Sequence, residues 1–314
     1  MTPNTDKPLR IGTRRSPLAL TQANMVADAL LAAHGWTADR VRLVPMLASG
    51  DKIQDRPLAE IGGKALWTKE LERALIDDEI DIAVHSMKDV ETIRPDSFAV
   101  TAMLPRADVR DRLIGAVSID ALPQGARVGT SSPRRAAQLL ALRPDLVITP
   151  LRGNVATRLA HIEAGHADAT LLAAAGLDRL GMGDVGYAVP TDLLLPAASQ
   201  GAIGIDRLTA RTDLQPLLDV IDHRDSFAAV TAERAFLEAL GGNCHSPVAA
   251  LAVVEAGGIR LTGQLLSETG GELHGATLFY PPEDVAAPAR LAAQLLALSS
   301  ADIRRHFSTE NAQP

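Results

Sequence analysis

Short apolar runs alternate with stretches of helical period along most of this chain, and that alternation restricts the fold more than any other feature. Apolar runs at 10–12, 41–45, 80–84, 98–103, 127–129, 147–151, 169–173 and 202–205 read as strands. Helix-period stretches at 17–33, 68–77, 133–141, 155–164 and 226–240 lie between or after them. Strands interleaved with helices specify an α/β fold. After residue 246 the texture changes. Runs at 247–254, 259–267 and 272–280 read as a three-stranded antiparallel sheet, followed by a helix over 285–298. The expectation there is a small α+β domain.

A short motif occurs twice. Arg10-Ile11-Gly12-Thr13-Arg14-Arg15-Ser16-Pro17 opens one helix, and Arg127-Val128-Gly129-Thr130-Ser131-Ser132-Pro133 opens another. Each is a strand, a Gly-Thr turn and a Ser-Pro pair. Serine suits the N-cap and proline the first helical position, so both helix starts are well marked. The repeat points to two related lobes, and a length of 314 residues accommodates two or three domains.

Composition excludes several function classes. No apolar run approaches the roughly 18 residues needed to span a bilayer, and residues 1–10 lack the apolar core of a signal peptide. A cytoplasmic, reducing compartment is expected. A net charge of −7 argues against a general nucleic-acid binder. The histidines show no metal-ligand spacing, and no Walker loop, GxGxxG turn or serine elbow is present, so no metal is expected. Residues 47–64 are long, polar and glycine-bearing, which fits a lid or a plain surface excursion.

Three features carry chemistry. Cys244 is the only cysteine and lies in Leu240-Gly241-Gly242-Asn243-Cys244-His245-Ser246-Pro247, an irregular turn. It can be a buried apolar residue, a nucleophile or a point of covalent attachment. Arginines also mark three helix starts: Arg14 and Arg15, Arg134 and Arg135, and Arg152 and Arg158. A cation at a helix N-terminus costs about 0.3–1 kcal/mol. The placement makes sense if anions bind there, because free N–H groups and forked guanidiniums would converge on them. Solvated arginines facing away are the plain alternative. Finally, the apolar run 80–84 leads into His85-Ser86-Met87-Lys88-Asp89. Ligand sites lie at the carboxyl ends of such strands, and Asp89 beside Lys88 could stabilise a cation or simply cap a loop.

Many residues together resemble the porphobilinogen deaminase family. They are Thr13-Arg14-Arg15-Ser16-Pro17-Leu18-Ala19-Leu20, Gly62-Gly63-Lys64, Lys69-Glu70-Leu71, Val84-His85-Ser86-Met87-Lys88-Asp89-Val90, Gly129-Thr130-Ser131-Ser132-Pro133-Arg134-Arg135, Leu151-Arg152-Gly153-Asn154-Val155 and Ala174-Ala175-Gly176-Leu177. The resemblance implies an enzyme of tetrapyrrole synthesis that condenses four porphobilinogens head to tail, releases ammonia, and frees hydroxymethylbilane by hydrolysis. It implies a dipyrromethane cofactor joined to Cys244 by a thioether, with Asp89 as the catalytic carboxylate. Ser16, Ser86, Lys88, Asp89, Thr130, Ser131, Ser132, Arg134, Arg135 and Gly153 would hold the cofactor. Arg14, Arg152, Arg158, Arg179 and Gln200 would serve the substrate. Trp67, where phenylalanine is frequent, could pack on a pyrrole ring.

The implied fold has two α/β lobes like those of periplasmic binding proteins and a small C-terminal α+β domain. The expected domains are 1–104 with 202–219, 105–201 and 220–314, in a monomer that meets no membrane or nucleic acid. Departures from the family pattern are Asn243 before the cysteine, Ser199 in place of glycine and Glu91 in place of proline. Two rivals remain at this point. A two-lobed binding protein for an anionic solute would leave Cys244 and Asp89 idle. A cysteine-nucleophile enzyme needs a base near the thiol, and His245 is the only local candidate.

Overall fold

Ser16 and Ser132 begin the helices around which the two lobes are built. A computed structural model of the protein describes residues 7–46, 65–241 and 246–307, with side chains described from residue 68 onward in the second stretch. The Ser16 hydroxyl accepts from Ala19 N at 3.3 Å and opens α1 (Pro17–His34). Gly35, at φ 63°, closes that helix with an N–H to the Leu31 carbonyl. Ser132 accepts from Arg135 N at 3.4 Å. In the first lobe α2 (Ala65–Ile76) follows α1. In the second, α3 (Pro133–Leu142), α4 (Val155–Glu163) and α5 (Ala174–Arg179) follow one another.

The first sheet contains β1 (Leu9–Arg14), β2 (Val41–Met46), β3 (Ile82–Ser86), β4 (Phe98–Met103) and β10 (Ile203–Leu208). The second contains β5 (Asp111–Ile114), β6 (Arg127–Gly129), β7 (Val147–Thr149), β8 (Ala169–Ala173) and β9 (Tyr187–Ala188). Their orders are β2-β1-β3-β10-β4 and β7-β6-β8-β5-β9. In each, the first three strands pair in parallel and the fourth runs antiparallel to both of its neighbours. The short sequence repeat thus marks a repeat of topology. In each lobe the antiparallel fourth strand comes from a segment outside the parallel run. β5 enters before β6, and β10 returns after β9 to lie between β3 and β4.

The chain divides into two compact units, 1–107 with 202–227 and 108–201 with 228–314. Within the first, α6 (Gln215–Asp219) covers β4 and supplies Leu217 and Leu218 to the core around Ile11, Ile82 and Ile205. The second unit holds two cores. One surrounds Leu113, Val128 and Leu171 in the lobe sheet. The other surrounds Phe236, Leu261 and Leu291, beneath the antiparallel sheet of β11 (Val248–Glu255), β12 (Gly258–Leu266) and β13 (Leu273–Tyr280). That core is formed by α7 (Arg224–Leu240), α8 (Ala287–Leu298) and the short α9 (Ala301–Arg304). Aliphatic and alanine side chains dominate all of these cores, as the 3% aromatic content requires.

The strands at 41–45, 98–103, 127–129 and 169–173 and the helices at 17–33 and 133–141 match expectation within a residue. Two strands and three helices do not appear in the sequence pattern: β5, β9, α5, α6 and α9. β5 contains Asp111 and Arg112 in four residues, so polarity disguises it. No described helix is long and apolar enough to cross a membrane.

Candidate active site and cofactor framework

At the carboxyl end of β3 the chain tightens into a turn of 3-10 helix, Met87–Asp89. Met87 is fully buried and anchors it, with its N–H donating to the Ala202 carbonyl at 3.1 Å. β10 can pass this closely because residue 204 is glycine: a Cβ there would lie 2.1 Å from the Met87 sulfur. Ser86 exchanges hydrogen bonds with the Gln22 amide of α1, accepting at 2.8 Å and donating at 3.0 Å. The turn therefore holds Asp89 in a fixed place, half-buried, where it lines a small pocket with Arg14, Gln22, Thr68, His85 and Ser86. No hydrogen bond or ion pair from a described residue engages the Asp89 carboxylate. A half-buried acceptor without a partner suits a ligand that brings its own donors.

Beneath this pocket lies an ionic cluster that sequence reasoning missed. Arg94 binds Glu72 of α2 and the fully buried Asp206 of β10, and lies 3.5 Å from Glu91. His85 Nε2 stands 3.5 Å from Asp206. Burial pushes the His85 imidazole below its ordinary pKa, and the Asp206 charge only partly opposes this. The signal available in the sequence was Asp206 inside the apolar stretch Ile203-Gly204-Ile205-Asp206, since a buried carboxylate requires a cation.

In the second unit the arginines at the start of α3 have a different setting from the one expected. Arg134 and Arg135 are buried, at 4% and 6% exposure. Their shared anion is Asp111 of β5, at 2.8 and 2.6 Å. The reading of these two guanidiniums as helix-end cations waiting for an external acid is corrected to that extent, because an internal carboxylate neutralises them. Burial alone would raise the Asp111 pKa, but the two guanidiniums outweigh it and hold the carboxyl well below the ordinary range. Gln200, expected at the substrate, is also buried. It gives its amide protons to the Val109 carbonyl at 2.7 Å and to Asp111 at 3.0 Å.

The same framework leaves donors that face no partner among the described residues. Arg134 Nε and Arg179 Nε are buried without a hydrogen bond to any described residue. Among the described residues Arg179 otherwise reaches only the Gly201 carbonyl, at 2.7 Å, and burial lowers its pKa to about 10, which leaves it charged at neutral pH. Just before α3, Thr130 Oγ1 accepts from Ser132 N at 3.1 Å, and the Ser131 hydroxyl donates to the Leu151 carbonyl at 3.2 Å. Gly153 takes φ 104°, a conformation reserved for glycine, as the chain turns into α4. Asn154 caps that helix by accepting from Thr157 N at 2.9 Å, and Arg158 Nε returns to the Gly153 carbonyl at 3.0 Å. Arg152 is half-buried just before the turn.

Ser199 fulfils the concern that a glycine belongs there. Its φ is 65°, and its N–H is held by the buried Glu233 carboxylate of α7 at 2.6 Å. The same carboxylate accepts from Ala252 N of β11 at 2.7 Å. Cys244 and Asn243 lie outside the described residues, as does the segment 47–64, and the Trp67 side chain is likewise outside them. No group of three or more His, Cys, Asp or Glu residues among those described could hold a metal ion.

These arrangements can be set beside known proteins. The family model for the porphobilinogen deaminase dipyromethane cofactor binding domain matches residues 9–216, and that for the porphobilinogen deaminase C-terminal domain matches 227–296. A porphobilinogen deaminase from Sphingopyxis alaskensis is 56% identical over 310 residues, covering 97% of this chain and 98% of that one. One from Paracoccus denitrificans is 51% identical over 288 residues, covering 91% and 92%. Among solved structures, a TRAP periplasmic solute binding protein from Desulfovibrio salexigens shows 12% identity and a TM-score of 0.44, over 71% of this chain and 74% of that one.

Proposed function

The chain belongs to the porphobilinogen deaminase family, a tetrapyrrole-synthesis transferase that condenses porphobilinogen and carries dipyrromethane, and we propose how its own residues divide that work. The observation that carries the assignment is the Asp89 carboxylate, rigidly placed, half-buried and without a partner from the described residues, in one pocket with Arg14.

The cofactor fits the residues present. Dipyrromethane and each added unit carry carboxylates and pyrrole N–H groups. Arg134 Nε and Arg179 Nε, donors without a partner among the described residues, suit the carboxylates, and Asp89, likewise without one, suits the N–H groups. When bound, the cofactor supplies the primer to which new units are joined. Cys244 tethers it by a thioether. Lys88, Ser16, Ser86, Thr130, Ser131, Ser132 and the Gly153 turn frame its acidic side chains, with Arg134 and Arg135 held in place by Asp111. Arg14, Arg152, Arg158 and Arg179 receive the carboxylates of porphobilinogen and the lengthening chain, and Gln200 supports substrate binding through Asp111, which holds Arg134 and Arg135.

In each condensation the C–N bond to the departing ammonia breaks, and a C–C bond forms to the free ring carbon of the preceding unit. That ring carbon then loses its proton. Positive charge gathers on pyrrole nitrogen as the amine leaves, and Asp89 accepts the pyrrole N–H and stabilises that charge. A fixed carboxylate in a half-buried site does this better than solvent, because it need not reorganise. Water ends the sequence by releasing the product.

We further infer three domains, since the C-terminal sheet has a hydrophobic core separate from that of the lobe sharing its unit. The protein is a cytoplasmic monomer that binds no nucleic acid, in keeping with its −7 charge.

Intact mass and turnover test the assignment together. Protein from a host that makes tetrapyrroles should carry a mass increment of two condensed pyrrole units, and Cys244→Ser should lack it. Asp89→Ala should carry the increment yet lose at least about 10²–10³-fold in kcat. An active enzyme of unmodified mass would remove the tether, and near-normal turnover in Asp89→Ala would remove the carboxylate's role.

A further inference from the structure

We propose that Arg94 is a positioning residue for Asp89, an inference that rests on the role assigned to Asp89 above. The entry to the Asp89 turn is held by β3, by buried Met87 and by the Ser86–Gln22 pair. Its exit, residues 90–97, forms neither helix nor strand before β4 begins. Val90 is buried, with its N–H on the Met87 carbonyl at 3.2 Å. At its far end the segment is fixed through the Ser97 carbonyl, which accepts from Thr209 N at 2.8 Å.

Between those two points the hold is made by side chains. Arg94 follows Asp89 by one turn's length of chain and forks in two directions, to Glu72 on α2 and to Asp206 on β10. Its guanidinium carbon stands 5.3 Å from the Phe98 ring centroid. Glu91, two residues after Asp89, lies 3.5 Å from the same guanidinium and accepts from Thr68 of α2 at 3.4 Å. The exit segment is therefore clamped to a helix on one side and a strand on the other. A planar, forked cation can bridge two carboxylates on separate elements, whereas the point charge of lysine cannot hold both in one geometry. Displacing a reacting group by about 1 Å costs on the order of 10²-fold in rate, so a partial loosening of this clamp should reach kcat while leaving substrate affinity alone.

The test compares cofactor-loaded Arg94→Lys, Glu91→Gln, Glu91→Pro and Asp89→Ala for kcat, KM for porphobilinogen and thermal midpoint. Arg94→Lys should lose on the order of tenfold in kcat and Glu91→Gln roughly threefold, both with KM within about twofold of wild type. Glu91→Pro should recover to within about twofold of wild-type kcat, since Val90 already has the extended backbone (φ −87°, ψ 135°) that precedes a proline. Wild-type kcat in Arg94→Lys and Glu91→Gln, a change in KM alone, or Glu91→Pro no better than Glu91→Gln would overturn the proposal. If Arg94→Lys does not fold, the two Glu91 variants decide. Normal turnover in Asp89→Ala would instead sink the Asp89 assignment, whereas an inactive Asp89→Ala beside wild-type clamp variants would sink the clamp alone.

Discussion

Replacing Asp111 with asparagine should destabilise the second unit more than any conservative change on its surface. The carboxylate has 0% side-chain exposure and accepts from Arg134 Nη2 at 2.8 Å, from Arg135 Nη2 and Nε at 2.6 and 3.2 Å, and from Gln200 at 3.0 Å. Asparagine keeps the volume but offers one oxygen, and its amide would face donors. Breaking a buried ion pair from one side costs about 3–5 kcal/mol, because the remaining charge is left uncompensated. Two guanidiniums share this carboxylate, so a loss near the upper end, about 5 kcal/mol, is expected. At about 2–4 °C per kcal/mol for a unit of this size, the thermal midpoint should fall by roughly 10–20 °C.

Calorimetry and denaturant titration between pH 8 and pH 3 measure this. The folded-state pKa of Asp111 is depressed. Its contribution is therefore complete above the unfolded value of about 3.9 and is lost as pH falls through the folded value. The gap between wild type and Asp111→Asn should be constant from pH 8 to 5 and shrink only in strong acid. Arg135→Met should also cost less in the Asp111→Asn background than alone. A difference under about 1 kcal/mol at pH 7, or one that widens in acid, would refute the reasoning.

Two further outcomes follow from single residues. Ser199→Gly should raise stability by about 1 kcal/mol, read from the denaturation midpoint, because φ 65° costs a non-glycine residue roughly 1–2 kcal/mol; a lower midpoint would show that the serine side chain matters more than the backbone. His85 is buried with a lowered pKa, so its unfolded state takes up a proton first. Its contribution is complete above the ordinary value of 6.5 and should decline on acidification below it by up to about 1.4 kcal/mol per pH unit. That slope should disappear in His85→Gln, and its persistence would assign the acid sensitivity to other groups.

Local chemistry made much of this protein legible in its sequence. Ser16-Pro17 and Ser132-Pro133 fixed two helix starts because capping and the proline ring act over three or four residues. The alternating apolar runs required an α/β fold, and His85 to Asp89 followed a buried strand as ligand-facing residues do. The motifs around Asp89 and Arg134 were specific enough to indicate the family. The position of a counter-charge is not local. Asp111 precedes Arg134 by 23 residues and Asp206 follows Arg94 by 112, so only the sheet topology brings them together. Alone, Arg134 and Arg135 read as cations awaiting an anion. The tertiary structure showed that β5 supplies one, because a charge buried in a low-dielectric interior must find its partner inside the fold.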